Sequence, residues 1–446
     1  MLVLAHMKFR VSADKVTIFT YFLIIISIGS LLLSLPAAWS GLGSITYLDA
    51  IFTSTSAVCV TGLIVVDTAL FSAFGKTVIM LLIQLGGLGI VAFATIYVAA
   101  PRRKVSLLNR GIIKEMYIDE VESNPVNIIR HIVLTTIAIE FLGFLIIRSR
   151  FKAAGIPQYN FAAAFHAVSA FCNAGFSTFS DSLESFAGDW RINLAFIGLI
   201  VSGGLGFVVL QDIGRVFMRT KRRFSYHTRI VVSVSAVLIL AGAACFYALE
   251  RGGAFSSMSI PERLLASLFQ SVTTRTAGFD TVAQSAFGFP AMLLAVFLMF
   301  TGGSPGSTAG GVKTTTIFMA FAAAFKGHED DGSIMYKGGA LSSIIISKAF
   351  SIIVKAVIII TASLLLVLCL EGDGASFPDL FFEVVSAFGT VGLSRGATAG
   401  LGGASKVVII MTMFIGRVGL FAMAITKSSD RIERFADYPR ENLLLG

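Results

Sequence analysis

Long apolar stretches alternate with shorter helical segments of mixed polarity along this chain of 446 residues. Stretches of about 20 apolar residues with few charges have the length that an α-helix needs to cross the hydrocarbon layer of a bilayer. The segments between them hold about 10 to 13 residues, too few to cross as helices. The long stretches are 16–35, 77–99, 194–210, 230–249 and 344–370, and the short segments are 49–58, 161–171, 261–273 and 377–388.

A repeat is visible where the short segments end. Each short segment leads into a small polar run closed by glycine, and a second cluster of small residues recurs in the apolar stretch that follows. One chance match would mean little, but four paired matches indicate four copies of one unit. The loop runs begin at Ser56, Ser169, Val272 and Ser386 and end at Gly62, Gly175, Gly278 and Gly392, and the later clusters begin at Gly86, Gly203, Gly302 and Gly416.

The pattern and the repeat together predict an all-α polytopic membrane protein, in which four pseudo-repeats surround one central pore. Each unit contains an outer helix, a pore helix that enters the membrane and returns, a filter loop and an inner helix. The predicted units are residues 1–100, 101–220, 221–330, with a broken inner helix, and 331–446.

Composition and charge agree with this topology. The chain is 55% hydrophobic and only 14% charged, which favours a bilayer over water as its solvent. The net charge of +9 arises from cations between the membrane segments, so it predicts cytoplasmic loops by the positive-inside rule and not a nucleic-acid partner. Eight crossings and two cytoplasmic termini follow. The basic clusters lie in 8–15, 102–114, 215–229 and 427–440, and Arg148, Arg150 and Lys152 are exceptions that this topology places outside.

The glycine-ended loops have the chemistry of a cation pathway. Non-helical backbone is tolerated at membrane depth only where protein or a water-filled cavity satisfies its polar groups. A ring of backbone carbonyl oxygens can replace the hydration shell of an alkali cation, and glycine lets successive carbonyls point inward. The alternative is that the glycines only allow close helix packing, and for Gly86, Gly87, Gly203 and Gly204 both interpretations stay open.

With these loops, the run Gly302-Gly-Ser-Pro-Gly-Ser-Thr-Ala-Gly-Gly-Val-Lys313 and Arg417, the chain resembles the Ktr/Trk/HKT superfamily of potassium and sodium transporters. It looks most like the membrane subunit of bacterial Ktr-type uptake systems. The resemblance implies a selectivity filter in the four loops, with Gly62 as the glycine that goes with potassium preference. The implied filter residues are Val60, Thr61, Gly62, Asn173, Ala174, Gly175, Thr276, Ala277, Gly278, Thr390, Val391 and Gly392.

The third inner segment must break, because residues 289–325 are too many for one straight helix across about 30 Å of hydrocarbon. Its centre is rich in glycine and hydroxyl groups, which argues for unwound backbone inside the membrane. Two interpretations of this segment are open. It could be a flexible gate that obstructs the pore, which the resemblance also implies, or a passive break in the helix. The gate residues are Gly302, Gly303, Ser304, Pro305, Gly306, Ser307, Thr308, Ala309, Gly310 and Gly311.

Two arginines fall at membrane depth. Arg417 occupies the position of a small residue in the other units, and such a cation almost always faces a bundle interior or a cavity. Two roles are predicted for Arg417. In the first it forms a structural pair, with a carboxylate or with carbonyls of the broken helix; in the second it lies on the conduction path and holds the gate. Arg275 is expected to point away from the pore and brace its loop against Asp280 or Glu383.

The resemblance further implies a homodimer, a separate cytosolic nucleotide-binding ring of the RCK/KTN type and a bacterial cell-membrane location. K⁺ is the expected transported ion, with Na⁺ as a candidate activator, and the basic loops are candidate contacts for anionic membrane lipid. An enzyme is not predicted, because five scattered histidines form no catalytic or metal constellation. The alternative function is a sodium- or proton-coupled secondary transporter, which usually has two broken helices where this sequence predicts one.

Overall fold

The computed structural model describes residues 13–41, 43–99, 125–327, 332–336, 339–374 and 376–419, and most of these residues are helical. Four long apolar helices, one in each unit, have the length and hydropathy of membrane spans. A third or less of each span is buried inside the protein, so the remainder is left to face lipid. Outer helices 1 to 4 are Ala13–Leu33, Pro125–Ala153, Tyr226–Glu250 and Ser343–Glu371.

Four short helices lie inside this outer layer. Although they are too short to cross the bilayer, they are far more buried than the outer helices, as in pore helix 1, where nine residues between Asp49 and Val58 are buried. Each leads directly into a glycine-ended loop, so the partial negative charge of its C-terminus lies next to that loop. Pore helices 1 to 4 are Tyr47–Val58, Tyr159–Phe171, Ile260–Thr273 and Phe377–Gly389.

The inner helices differ most between units. Inner helix 1 is continuous over Ala73–Ala99, and inner helix 4, Gly403–Phe414, passes into a π-helical turn at Ile415–Gly419. Inner helix 3 is broken as the composition predicts, since Phe289–Phe300 and Thr314–Phe325 are joined by non-helical backbone.

The prediction of a single broken inner helix is wrong. Inner helix 2, Trp190–Leu205, ends at Gly206, and a second helix, Phe207–Phe217, leaves at an angle of 107°. We call this second helix the lateral helix. The bend is possible because Gly206 has a φ of +85°, a conformation that is costly for residues with a side chain.

The structure accounts for two of the cations that the charge rule left unexplained. Arg150 and Lys152 lie in the last turn of outer helix 2, where the helix dipole favours positive charge. Arg150 forms an ion pair of 2.8 Å with Asp189, which also caps inner helix 2. Burial alone would raise the pKa of Asp189, but the hydrogen bonds from Arg150 and from two backbone N–H groups hold it below its usual value.

A small hairpin, β1 (Ile334–Tyr336) and β2 (Gly339–Leu341), precedes outer helix 4. The basic clusters predicted at 8–15, 102–114 and 427–440 lie outside the residues whose side chains the structure describes.

Candidate functional site

The four glycine-ended loops share one backbone conformation. In each loop the closing glycine and the residue two positions before it have positive φ angles, while the residue between them does not. Alternation of left- and right-handed dihedrals turns successive carbonyl groups toward the same side of the chain. The paired positions are Val60 and Gly62, Asn173 and Gly175, Thr276 and Gly278, and Thr390 and Gly392.

The loops meet around a common centre. A methyl group built on Gly62 would lie 2.5 Å from the carbonyl oxygen of Ala174, and one on Gly175 would lie 3.0 Å from that of Ala277. The same relation continues from Gly278 to Val391 and from Gly392 back to Thr61, so the four contacts close a ring. Only glycine fits at these four positions, because a side chain would strike the backbone of the next loop.

Hydroxyl groups behind the loops hold this conformation, and the sequence interpretation did not single them out. Ser56 and Ser386 accept hydrogen bonds of 3.1 Å from the N–H groups of Gly62 and Gly392. Ser169 and Thr273 donate to the carbonyl groups that directly follow the other two loop glycines. A serine six positions before the glycine recurs in three of the four runs, and this recurrence was the available signal.

The ring offers oxygen atoms and little else. The hydroxyl groups of Thr61, Thr276 and Thr390 are buried and find no hydrogen-bond partner among the described residues. Within that same part of the chain, no three His, Cys, Asp or Glu side chains are placed to hold a metal ion. Carbonyl and hydroxyl oxygens without a carboxylate cluster suit a weakly held, hard monovalent cation.

The non-helical segment of inner helix 3, residues 301–313, lies against the ring and is called the gate loop here. A side chain on Gly310 would strike the Thr390 side chain. Thr308 donates from its hydroxyl to the carbonyl of Phe171, the last residue of pore helix 2, at 3.2 Å. The gate loop is therefore in contact with two of the four filter units.

The gate loop is also bonded to the bend in inner helix 2. Ser304 and Thr308 donate their backbone N–H groups to the carbonyls of Gly204 and Gly203, at 3.0 and 3.2 Å. In return, the N–H of Phe207 donates to Gly306 at 3.2 Å. The carbonyls that a straight helix would use for its own hydrogen bonds are thus occupied by the gate loop.

Arg417 lies in the π-helical turn and is 2% exposed. Its guanidinium donates to the carbonyl of Thr308 in the gate loop and, at 3.3 Å, to that of Gly86 in inner helix 1. The bond to Thr308 fits both predicted roles, since Thr308 supplies a carbonyl of the broken helix and belongs to the gate loop. Lys313, which the sequence interpretation named only as the end of a motif, donates to the Ala309 carbonyl at 2.6 Å and adds a second cation to this loop.

The family description "TrkH: Cation transport protein" matches residues 3–435. The chain belongs to this family. It is 36% identical to the Ktr system potassium uptake protein B of Bacillus subtilis over 94% of this chain and 95% of that protein. It is 34% identical to the potassium/sodium uptake protein NtpJ of Enterococcus hirae over 95% of each chain.

A solved structure confirms the fold of this TrkH family member. The potassium transporter TrkH from Vibrio parahaemolyticus superposes with a TM-score of 0.72 at 19% identity, over 94% of this chain and 86% of that one. The resemblance inferred from the loop motifs is therefore confirmed. The family consists of membrane cation transporters, so the prediction that the chain is not an enzyme is confirmed as well.

Two details of the TrkH-type site differ from expectation or resolve an open choice. Arg275 donates to the hydroxyl of Ser235 in outer helix 3, at 3.3 Å, so the expected brace to Asp280 or Glu383 is wrong. The carboxylate of Glu383 instead accepts hydrogen bonds from the hydroxyl groups of Ser394 and Thr398 and from the N–H of Arg395. Close packing accounts for Gly86 and Gly203, since a side chain on either would strike the last carbonyl of a pore helix.

Proposed function

We propose that this chain takes up potassium across the cell membrane through a channel-like pore whose selectivity filter is the ring of four loops. The observation that carries the proposal is the closed ring of glycine contacts from Gly62 through Gly175 and Gly278 to Gly392. The names of the Bacillus subtilis and Enterococcus hirae relatives support potassium as the substrate.

The loop carbonyls replace the water molecules around the ion as it enters. The alternating dihedrals present several carbonyl oxygens per loop, and the pore-helix C-termini add partial negative charge around them. The backing hydroxyls fix the width of the ring, and a fixed width favours one ion size. The implied filter residues of the sequence, from Val60 to Gly62 and their counterparts, supply these oxygens.

The gate loop and Arg417 obstruct the path beneath the filter. A fixed cation close to the axis raises the energy of a passing cation. Arg417 also holds the gate loop through Thr308, so a single residue contributes both a charge barrier and a latch. Opening requires that the gate loop lose these bonds and move.

Regulation and assembly belong to the same proposal. The name of the relative, a Ktr system protein, supports a separate regulatory subunit. We propose a cytosolic nucleotide-binding ring of the RCK/KTN type, a homodimer in which each protomer has its own pore, a bacterial cell membrane location with both termini cytoplasmic, and Na⁺ as an activating ion.

One observation favours the alternative of a sodium- or proton-coupled transporter. Coupled transporters often contain two discontinuous helices, and here both inner helix 2 and inner helix 3 are broken. The closed ring of four loops favours a pore, because coupled transport requires no such fourfold arrangement.

The test is cation flux into proteoliposomes that contain the purified chain, with K⁺ or Na⁺ as the permeant ion. Wild type is compared with Gly62→Ser and with Gly400→Ser, a control at which an added side chain meets open space. A preference for K⁺ that falls by about tenfold, or roughly 1.4 kcal/mol, only in Gly62→Ser supports the filter. Flux that occurs only with an imposed proton or sodium gradient would replace the pore with the coupled mechanism.

A further inference from the structure

The lateral helix, Phe207–Phe217, lies at the membrane boundary. Inner helix 2 has 16 residues, which span about 24 Å. Its first residue, Trp190, is 58% exposed, as is usual for tryptophan at a membrane interface. The bend at Gly206 is therefore close to the opposite edge of the hydrocarbon layer, and a helix that leaves at 107° runs nearly in the membrane plane.

The end of the lateral helix combines exposed apolar groups with exposed cations. Phe217 is 88% and Met218 is 70% exposed, and Phe224 is also exposed. Between 211 and 229 the chain has six Lys and Arg residues and one acidic residue, Asp212, which is bonded to Lys221 at 2.9 Å. We name as the basic patch Phe217, Met218, Arg219, Arg222, Arg223 and Phe224, all of which are exposed.

We propose that the basic patch binds anionic phospholipid headgroups and that this contact holds the gate loop in its observed position. The charge and the exposed aromatic groups fit a lipid interface, where phosphates meet the cations and acyl chains meet Phe217 and Met218. An acidic face of a soluble protein would pair with the arginines but would not account for the exposed apolar side chains of Phe217 and Met218 beside them.

The link to the gate loop is the set of hydrogen bonds across the bend. If the lateral helix swung into line with inner helix 2, the carbonyls of Gly203 and Gly204 would bond to their own helix. Those carbonyls now accept hydrogen bonds from Thr308 and Ser304. Straightening therefore competes with the gate loop for the same acceptors, and lipid that keeps the lateral helix in the membrane plane keeps these bonds. This second step rests on the proposed gating function.

Lipid binding is tested by native mass spectrometry of the purified chain with added phosphatidylglycerol or phosphatidylcholine. The variant replaces Arg219, Arg222 and Arg223 with Gln. The control replaces Lys152, Arg191 and Arg251, three exposed cations on the opposite side, and removes the same charge. We expect fewer bound phosphatidylglycerol molecules in the first variant only. Equal binding in both would overturn the lipid proposal.

The link to gating is tested by resting K⁺ flux in phosphatidylcholine vesicles with and without phosphatidylglycerol. We expect phosphatidylglycerol to reduce wild-type flux severalfold and to have no effect on the basic-patch variant. If the basic-patch variant no longer binds phosphatidylglycerol but its flux falls as much as that of wild type, lipid binding does not control the gate loop. The lipid site itself would still stand. If neither the wild type nor a variant that lacks residues 304–309 carries ions in either vesicle, the proposed pore fails, and the binding experiment still decides the lipid site.

Discussion

At the scale of single residues, hydroxyl groups behind the four loops form hydrogen bonds that hold the loop backbone in its conformation. Ser56 is fully buried and accepts the N–H of Gly62. Ser386 does the same for Gly392, on the adjoining loop of the ring. These two bonds fix the direction of the Gly62 and Gly392 N–H groups, and in the proposed filter they would leave the carbonyl groups to face the ion.

Ser56→Ala is expected to weaken selectivity without blocking flux. The substitution leaves the N–H of Gly62 buried and unpaired, at a cost of about 1–3 kcal/mol. That cost is relieved when the loop changes shape, so the ratio of K⁺ to Na⁺ flux in proteoliposomes should fall. Ser27→Ala is the control, because the exposed Ser27 hydroxyl bonds only to its own outer helix. An unchanged ratio in Ser56→Ala would show that the hydroxyl does not shape the filter.

Arg417→Gln is expected to raise resting K⁺ flux. The change removes a buried cation beneath the filter and weakens its bond to the gate loop. A barrier lower by about 1.4 kcal/mol would raise flux about tenfold. Arg417→Lys keeps the charge and should stay closer to wild type. A drop in melting temperature with no gain in flux would limit Arg417 to a structural role.

At the scale of elements, the bend in inner helix 2 and the break in inner helix 3 form one hydrogen-bonded unit. The carbonyls of Gly203 and Gly204, which the bend leaves without a partner in their own helix, accept hydrogen bonds from N–H groups of the gate loop. This explains how two interrupted helices are tolerated inside the protein, where buried backbone groups without a hydrogen bond are costly.

Gly206→Ala tests that unit. The new methyl group would lie 2.8 Å from the Pro305 carbonyl, and the φ of +85° disfavours any side chain by roughly 1–2 kcal/mol. The bend should loosen, and K⁺ flux in proteoliposomes should rise. Gly198→Ala in the same helix meets open space and serves as the control. If Gly206→Ala lowered the stability of the protein but left K⁺ flux unchanged, the bend and the gate loop would be independent.

The ion pair between Arg150 and Asp189 ties outer helix 2 to the start of inner helix 2. Both side chains are partly exposed, so Asp189→Asn should cost only about 0.5–1 kcal/mol at neutral pH. Because the pKa of Asp189 is lowered in the folded protein, its contribution is present above the usual value of 3.8 and is lost as the pH falls through the folded value. The melting temperatures of wild type and Asp189→Asn, measured from pH 7 down to low pH, should therefore differ at neutral pH and become equal in acid. A gap that does not change with pH would contradict this account.

At the scale of the whole molecule, the ring of four loops and the gate loop are built from different sets of units. The ring is built from loops of all four units, whereas the gate loop comes from the third unit and is bonded to groups of the second and fourth units. A change in the gate should therefore alter how many ions pass, and a change in the ring should alter which ions pass.

Deletion of residues 304–309 tests this separation. The shortened loop loses its bonds to Gly203, Gly204 and Phe171, so resting K⁺ flux should rise severalfold. The ratio of K⁺ to Na⁺ flux should stay near that of wild type, because the loops of the ring are unchanged. Unchanged flux in a folded variant would rule out the gate loop as an obstruction.

The sequence alone determined the four-unit plan, the pore-helix positions and the break in inner helix 3. Hydrophobic length, recurring glycine runs and a local excess of glycine and hydroxyl residues are properties of neighbouring positions, and they need no long-range contact to be recognised. The TrkH-type fold and family follow from the same signals.

Only the tertiary structure decided which distant groups meet. The bend at Gly206 depends on donors about 100 residues later in the chain. Its Gly-Gly-Leu-Gly run gives no local sign of it, because the same run at 86–89 lies in the continuous inner helix 1. Arg275 lies beside Ser235 and not beside a carboxylate, and Arg417 reaches Thr308 and Gly86, because those partners are set by helix packing. The ring closes for the same reason, since four loops far apart in sequence touch only when all four units are assembled.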